Sequence, residues 1–313
     1  MSRKTLPLIK LTILLTLLIV GCQPTQTQST ASLDSTPRLV IMSAFGPEME
    51  KLRAEAEITD TLVINGRSHH VGQLAGNDVV ILLSGVSMVN AAMTTQAVID
   101  HFNVEAIIFS GIAGGVNPNL NIGDVVVPAQ WGQYQEQLFA RETAQGWDTG
   151  WSSAEFGNFG MMFPQNVSIT RKDGATDTEK EHFWFQTDPA MLDVARRIAN
   201  DVHLEKCAAQ GNCLAGDPKV VVGGNGVSGP TFVDNAEYRN WVWETFQADA
   251  LDMETAAVAH VAYVNGVPFI AFRSLSDLAG GGPGENEIST FFQVAADNSA
   301  TTVIAYLAEW SAQ

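Results

Sequence analysis

Short apolar runs alternate with helically spaced apolar positions along most of the chain. Arg38–Phe45 carries four consecutive large apolar side chains and predicts a buried strand. A Gly46-Pro47 break follows, and the spacing then predicts a helix over 48–57. Residues 70–85 hold two strand-like stretches around a turn at Gly76-Asn77-Asp78. Apolar residues at 89, 92, 93, 97, 98 and 102 predict a helix over 88–102. Further strands are expected at 105–110, 124–128, 219–222, 249–253 and 268–273. Helices are expected at 189–202, 235–246, 253–265 and 288–310, with Asp234 as the N-cap of the second. Strands that alternate with helices imply an α/β layered fold.

Two segments break this pattern. Residues 131–187 hold Trp131, Trp147, Trp151 and Trp184, many glycines and little periodicity. A stretch this long without structure is unusual in a compact domain, so it reads as a site cover or an oligomer contact. At the other end, Arg3, Lys4 and Lys10 precede an apolar run over 11–20. That run would rise about 15 Å as a helix, too short to span a bilayer, and it reads as an export signal. It closes on Gly21-Cys22 and resembles a bacterial lipoprotein signal, which implies cleavage after residue 21 and a lipid on Cys22. Residues 22–37 have almost nothing to bury and read as a flexible tether. The expected organisation is thus a signal at 1–21, a tether at 22–37 and one domain at 38–313. The expected location is a bacterial membrane surface facing the periplasm or the exterior.

Composition narrows the class. The chain has 313 residues, 46% hydrophobic and 16% charged, enough for a large buried core. Its net charge of −17 disfavours nucleic acid as a partner, because neutralising phosphates needs a basic face. With Cys22 lipidated, Cys207 and Cys213 remain, and in an oxidising compartment they read as a local disulfide. A metal pair or free thiols are the alternatives, the former weakened by a shortage of nearby histidine.

Several motifs are absent: the phosphate-binding Gly-x4-Gly-Lys-Ser/Thr run, His-Glu-x2-His, paired Cys-x2-Cys, and the Gly-x-Ser-x-Gly elbow. Gly224-Asn-Gly226-Val-Ser-Gly229 matches the dinucleotide pattern, but Pro230-Thr-Phe-Val intervenes where a helix should begin. Ser110-Gly111-Ile-Ala-Gly114-Gly115 follows a strand. Its glycines could admit a ligand to the backbone or supply a turn of positive φ. The stronger signal is three acids in apolar settings at strand ends: Glu48, Glu254 and Asp277. Carboxylates are rarely buried without a partner or a task. Taken singly, Glu254 could complement a helix N-terminus and Asp277 could pair with Arg273. Three together at the ligand-binding ends of strands point to a site.

These residues resemble the nucleoside phosphorylase/nucleosidase superfamily, and within it the bacterial 5′-methylthioadenosine/S-adenosylhomocysteine nucleosidases. The resemblance is carried by Ile41–Glu48, Leu83–Val86, Ser110–Gly115, Ile122–Val126, Ser228–Val233, Asp252–Glu254 and Arg273–Asp277, in the family's order. It implies a three-layer αβα sandwich around a central mixed sheet, usually dimeric, with a purine nucleoside as substrate and no cofactor or metal. It also implies roles. Glu48 matches the residue that activates water, and Asp277, with Ser276 beside it, the acid toward purine N7. Glu254 matches the residue holding the ribose hydroxyls, and Met253 packs on the sugar. Phe232 and Val233 flank the base, Ser84 lies near the sugar and water, and Gly114 belongs to the glycine stretch near the ligand. Gly46-Pro47, Pro230 and the 131–187 insertion depart from the family pattern.

The chemistry agrees with those assignments. Breaking a purine N-glycosidic bond leaves negative charge on the base, which an acid kept protonated by an apolar site can neutralise. A second carboxylate on the other face can take a proton from water. A phosphate nucleophile would need cationic partners. The segments around Glu48 and Ser84 hold no arginine, so water is the expected nucleophile. The alternatives are phosphorolysis, a nucleoside-binding or storage protein of the same fold, and a surface interaction protein.

Overall fold

The computed structural model describes residues 33–153, 155–171, 182–208 and 211–312. The expected signal, the lipidation site Cys22 and the tether as far as residue 32 lie outside them, as do residues 154 and 172–181 of the insertion. The elements run β1 (Asp34–Ser43), α1 (Gly46–Glu55), β2 (Glu57–Ile64), β3 (Arg67–Leu74), β4 (Asn77–Leu83), α2 (Met88–His101), β5 (Phe102–Gly115), β6 (Val125–Val127) and β7 (Gln130–Gly132). They continue with β8 (Gln137–Phe139), β9 (Arg141–Thr143), β10 (Gly146–Asp148), β11 (Met162–Pro164), β12 (Trp184–Gln186), α3 (Pro189–Ile198), β13 (Val220–Val222) and β14 (Asn225–Ser228). The last are α4 (Ala236–Phe246), β15 (Ala248–Asp252), α5 (Thr255–Asn265), β16 (Phe269–Asp277) and α6 (Ile288–Trp310).

Twelve strands form one mixed sheet with β12-β7-β14-β15-β5-β1-β4-β3-β2 as its main path. The apolar run Leu39–Met42 lies at the centre of the sheet, where β1 pairs in parallel with β4 and β5. Strand β16 runs parallel to β5 and then antiparallel to β6. On one face Leu52 of α1, Met191 of α3 and Tyr306 of α6 pack against Ile41 and Ile108. On the other, Ala91 of α2 and Val258 of α5 pack against Val40 and Phe109. This is the expected three-layer αβα sandwich.

Several boundaries differ from expectation. β1 begins at Asp34, and the Leu33 N–H donates to the His101 carbonyl at 2.7 Å, so the first strand lies partly within the expected tether. Strand β2 has no counterpart in the sequence reading. Among the described strands it pairs with β3 alone and is mostly exposed, so no apolar alternation marks it. The N-cap of α4 is Asn235, whose side chain accepts from Tyr238 N–H, rather than Asp234. The Gly224–Gly229 stretch contains strand β14, and a Cβ at Gly226 would lie 2.6 Å from the Trp131 ring. Its glycines serve close packing, and α4 starts too late to cradle a pyrophosphate.

The 131–187 region is partly sheet. β7 sits between β14 and β12, and Trp131 is fully buried. Phe156, Phe183, Trp184 and Phe246 form an aromatic cluster beyond it. Trp151 stays 88% exposed. Cys207 and Cys213 are disulfide-bonded, and the flanking Ala208 and Leu214 pack on Val294 of α6.

Candidate active site

A cavity of about 350 Å³ opens at the C-terminal ends of β1, β5, β15 and β16. Glu48, Gly114, Phe232, Val233, Met253, Glu254, Ser276 and Asp277 all line it. Eight of the nine expected catalytic and substrate-binding residues are therefore brought together. Ser84 is the exception. It is buried outside the lining, its hydroxyl donates to Gly85 O at 2.9 Å, and its carbonyl accepts from Thr94 Oγ1 at 2.9 Å.

Glu48 sits in the first turn of α1, just past the end of β1, and is fully buried. Its Oε2 accepts the Ala44 N–H at 2.7 Å and the Phe45 N–H at 3.4 Å, and its Oε1 accepts the Ile112 N–H at 2.8 Å. Burial raises its carboxyl above the ordinary range, against the pull of Arg273 and these amides. Gly111 makes the room: a Cβ there would lie 2.5 Å from Glu48 Oε1 and collide with the Arg273 guanidinium. The Ser110–Gly115 glycines thus admit side chains closely, and Gly111, Gly114 and Gly115 do not have positive φ.

Glu254 follows β15 at the start of α5. Its Oε1 accepts the Ser87 N–H at 2.7 Å. Ser87 has φ of 77° in the turn after β4, an uncommon conformation for a side-chain-bearing residue. Burial, and then the nearby Asp252, push Glu254 up to about 7 despite Arg273. Asp277 ends β16. Its Oδ1 accepts the Ala279 N–H at 2.8 Å, its Oδ2 meets Ser276 Oγ at 2.9 Å, and Asn286 Nδ2 approaches Oδ1 at 3.4 Å. Burial raises its carboxyl also, opposed only by hydrogen bonds rather than by a cation.

Arg273 does not pair with Asp277. It lies fully buried beneath the cavity, with Nε 2.8 Å from Asp252 Oδ2, Nη1 3.7 Å from Glu48 Oε1 and Nη2 3.8 Å from Glu254 Oε2. Its guanidinium also stacks over the Phe109 ring at 4.2 Å. Asp252 in turn accepts from Ser228 and Thr255 hydroxyls and from the Glu254 and Thr255 N–H groups. One cation is therefore shared among three carboxylates. The sequence reading missed this network, although a lone arginine in the apolar run Phe269–Leu275 was a signal that buried acids must face it. Arg67 of β3 also reaches the Gly85 turn, where no cation was expected, but it bonds Asn90 Oδ1 at 2.9 Å and does not line the cavity.

Among the described residues the lining thus combines three raised carboxyls, an apolar wall from Phe45, Val86, Phe232 and Ile288, and no lysine, arginine or histidine. This is a fold and a site of one class. A family model described as the phosphorylase superfamily matches residues 38–308, and the chain belongs to that superfamily. Its relatives narrow the comparison to nucleosidases. The 5′-methylthioadenosine/S-adenosylhomocysteine nucleosidase of Listeria monocytogenes is 30% identical over 274 residues, covering 85% of this chain and 97% of that protein. The nucleosidase of the same name from Tolumonas auensis is 28% identical over 271 residues, covering 86% and 98%. Among solved structures, that of the Neisseria meningitidis nucleosidase in complex with methylthio-immucillin-A aligns with a TM-score of 0.64 at 26% identity, covering 87% of this chain and 99% of that one. Futalosine hydrolase of Helicobacter pylori has the same TM-score of 0.64 at 22% identity, over 86% of this chain and 97% of that one, a likeness of fold alone.

Proposed function

We propose that the chain hydrolyses the N-glycosidic bond of purine nucleosides of the 5′-methylthioadenosine/S-adenosylhomocysteine kind, releasing free base and a ribose derivative. The observation that carries this reading is the convergence of Glu48, Glu254 and Asp277 on one cavity whose lining, among the described residues, holds no basic side chain. In the proposed reaction Asp277 gives a proton to N7 as the bond to the sugar breaks. Glu48 takes a proton from the water that attacks the anomeric carbon. Glu254 accepts hydrogen bonds from the ribose hydroxyls and Met253 packs on the sugar. Phe232 and Val233 flank the base, and the apolar residues Phe45, Val86 and Ile288 suit a thioether at the 5′ position. Each carboxyl is buried, which suits an acid and a base working near neutral pH. Ser84 bonds the Gly85 carbonyl in the turn that leads to Val86.

Hydrolysis is favoured over phosphorolysis on electrostatic grounds. An incoming phosphate would meet carboxylates, and the nearest guanidinium, Arg273, is already shared by three of them. The test is adenine release from 5′-methylthioadenosine in phosphate-free buffer. Asp277→Asn and Glu48→Gln are each expected to lower kcat by about 10²–10⁴-fold, the range for general acid–base groups. Product formed only when phosphate is supplied would overturn the hydrolytic reading. Nucleoside bound but not cleaved, equally in wild type and variants, would favour a binding protein.

We further propose lipid anchoring at Cys22 on the exported side of a bacterial membrane. The support is the charged start, the apolar run and the Gly21-Cys22 close, together with a disulfide of the kind found in oxidising compartments. A homodimer is proposed as well. Val89 and Met93 of α2 lie exposed beside a cleft of about 490 Å³ between α2 and α5. Such apolar patches mark interaction surfaces, and a monomeric mass by sedimentation would refute the dimer.

A further inference from the structure

Asp277 must release its proton from one of two oxygens, and the hydrogen bonds around it distinguish them. Oδ1 accepts the Ala279 N–H at 2.8 Å and faces Asn286 Nδ2 at 3.4 Å. Both of those partners are obligate donors, so a proton on Oδ1 would lose two hydrogen bonds. Oδ2 faces the Ser276 hydroxyl at 2.9 Å, which can donate or accept. The Asn286 amide does more than face the acid. The same Nδ2 donates to Asp234 Oδ1 at 3.0 Å, directly after the base-flanking Phe232 and Val233. Its Oδ1 accepts the Ile288 N–H at 3.0 Å, at the start of α6, and Ile288 is itself in the cavity wall. The intervening loop is fitted to the same place. The Ala279 carbonyl accepts the Asn235 N–H at 3.0 Å, and a Cβ at Gly280 would lie 2.6 Å from the Asp234 carbonyl carbon.

We infer that Asn286 is a positioning residue: its amide ties Asp277 to the base-flanking segment and leaves Oδ2 as the oxygen that gives up the proton. This rests on the glycosidase reading above and adds to it the group that aligns acid with base. The bond from Asn286 favours the charged form of Asp277, while burial and the nearby Glu287 favour the neutral form. Asp234 shares the same Nδ2 donor, at 3.0 Å, and faces Asp277 across it. Arg239 of α4 faces Glu287 and donates to Gly115 O at 2.9 Å. Glu254 lines the same cavity. Loss of the amide donor therefore moves Asp277 further up.

The test uses the full chain with 5′-methylthioadenosine as probe and the variants Asn286→Ala and Asn286→Asp. The aspartate variant keeps an acceptor for the Ile288 N–H but loses the donor, which separates alignment of the acid from capping of α6. Both are expected to lower kcat about tenfold, the effect of one hydrogen bond, with KM changed far less. In both, the alkaline limb of kcat moves up by about 0.5–1 pH unit. Wild-type rate and pH profile in Asn286→Asp would reduce Asn286 to a helix cap and overturn the inference, as would wild-type behaviour in both. Carbon-13 titration of the Asp277 carboxyl reads the same point without turnover: an upward shift in Asn286→Ala supports the inference, and an unchanged titration overturns it. A wild-type chain that releases no base from any purine nucleoside would instead refute the glycosidase reading and leave the carboxyl titration to decide the role of Asn286.

Discussion

At the scale of single residues the site is governed by one buried guanidinium and the acids around it. Arg273 was expected, if structural, to pair with Asp277. Those residues are four apart in a strand, a rise of about 13 Å, so their charged groups cannot meet while the strand stays extended. Instead the arginine reaches Asp252, Glu48 and Glu254, which come from other elements. This arrangement has a measurable stability signature. Glu254 is raised from 4.5 to about 7. A carboxyl raised in the folded state favours folding while both states are protonated, and that contribution fades as pH climbs through the folded value. The stability attributable to Glu254 is therefore fully present below about 4.5 and lost on passing about 7. Urea midpoints measured from pH 4 to pH 8 should fall less steeply in Glu254→Gln than in wild type. Parallel pH dependences in the two proteins would refute this.

At the scale of elements, local pattern and tertiary role separate cleanly. Strand β16 and helices α5 and α6 were legible because continuous or periodic apolar residues mark elements buried in the sandwich. Strand β2 was not, since an exposed sheet edge needs no apolar face. Strand β14 was hidden behind its glycines, whose purpose shows only when Trp131 of the neighbouring strand is laid across Gly226. A Gly226→Ala substitution should cost about 1–3 kcal/mol by overpacking, read as a lower urea midpoint. A stability equal to wild type would mean that β7 and β14 separate freely. The acids of the site were legible because a carboxylate in an apolar run is conspicuous. Ser87, Asn286 and the Arg273 network were not, because each acts through a backbone turn or a partner distant in sequence. Ser84 lies outside the described lining, and a serine at a strand end does not reveal in sequence which way its hydroxyl turns.

At the scale of the whole molecule, the acidic charge and the proposed anchor concern where the chain works rather than how. Cys22→Ala is expected to move the protein from the membrane fraction to the soluble one with kcat/KM unchanged, because the described lining residues all belong to the domain that follows the tether. Retention in the membrane fraction would refute the lipid. The course of β1 gives that expectation a direction. The strand enters the sheet at Asp34 and delivers Phe45 and Glu48 to the cavity beyond its other end, about 33 Å away for ten extended residues. If the proposed anchor holds, the chain would be moored from the opposite end of that strand, which would leave the mouth free to sample solutes that diffuse past.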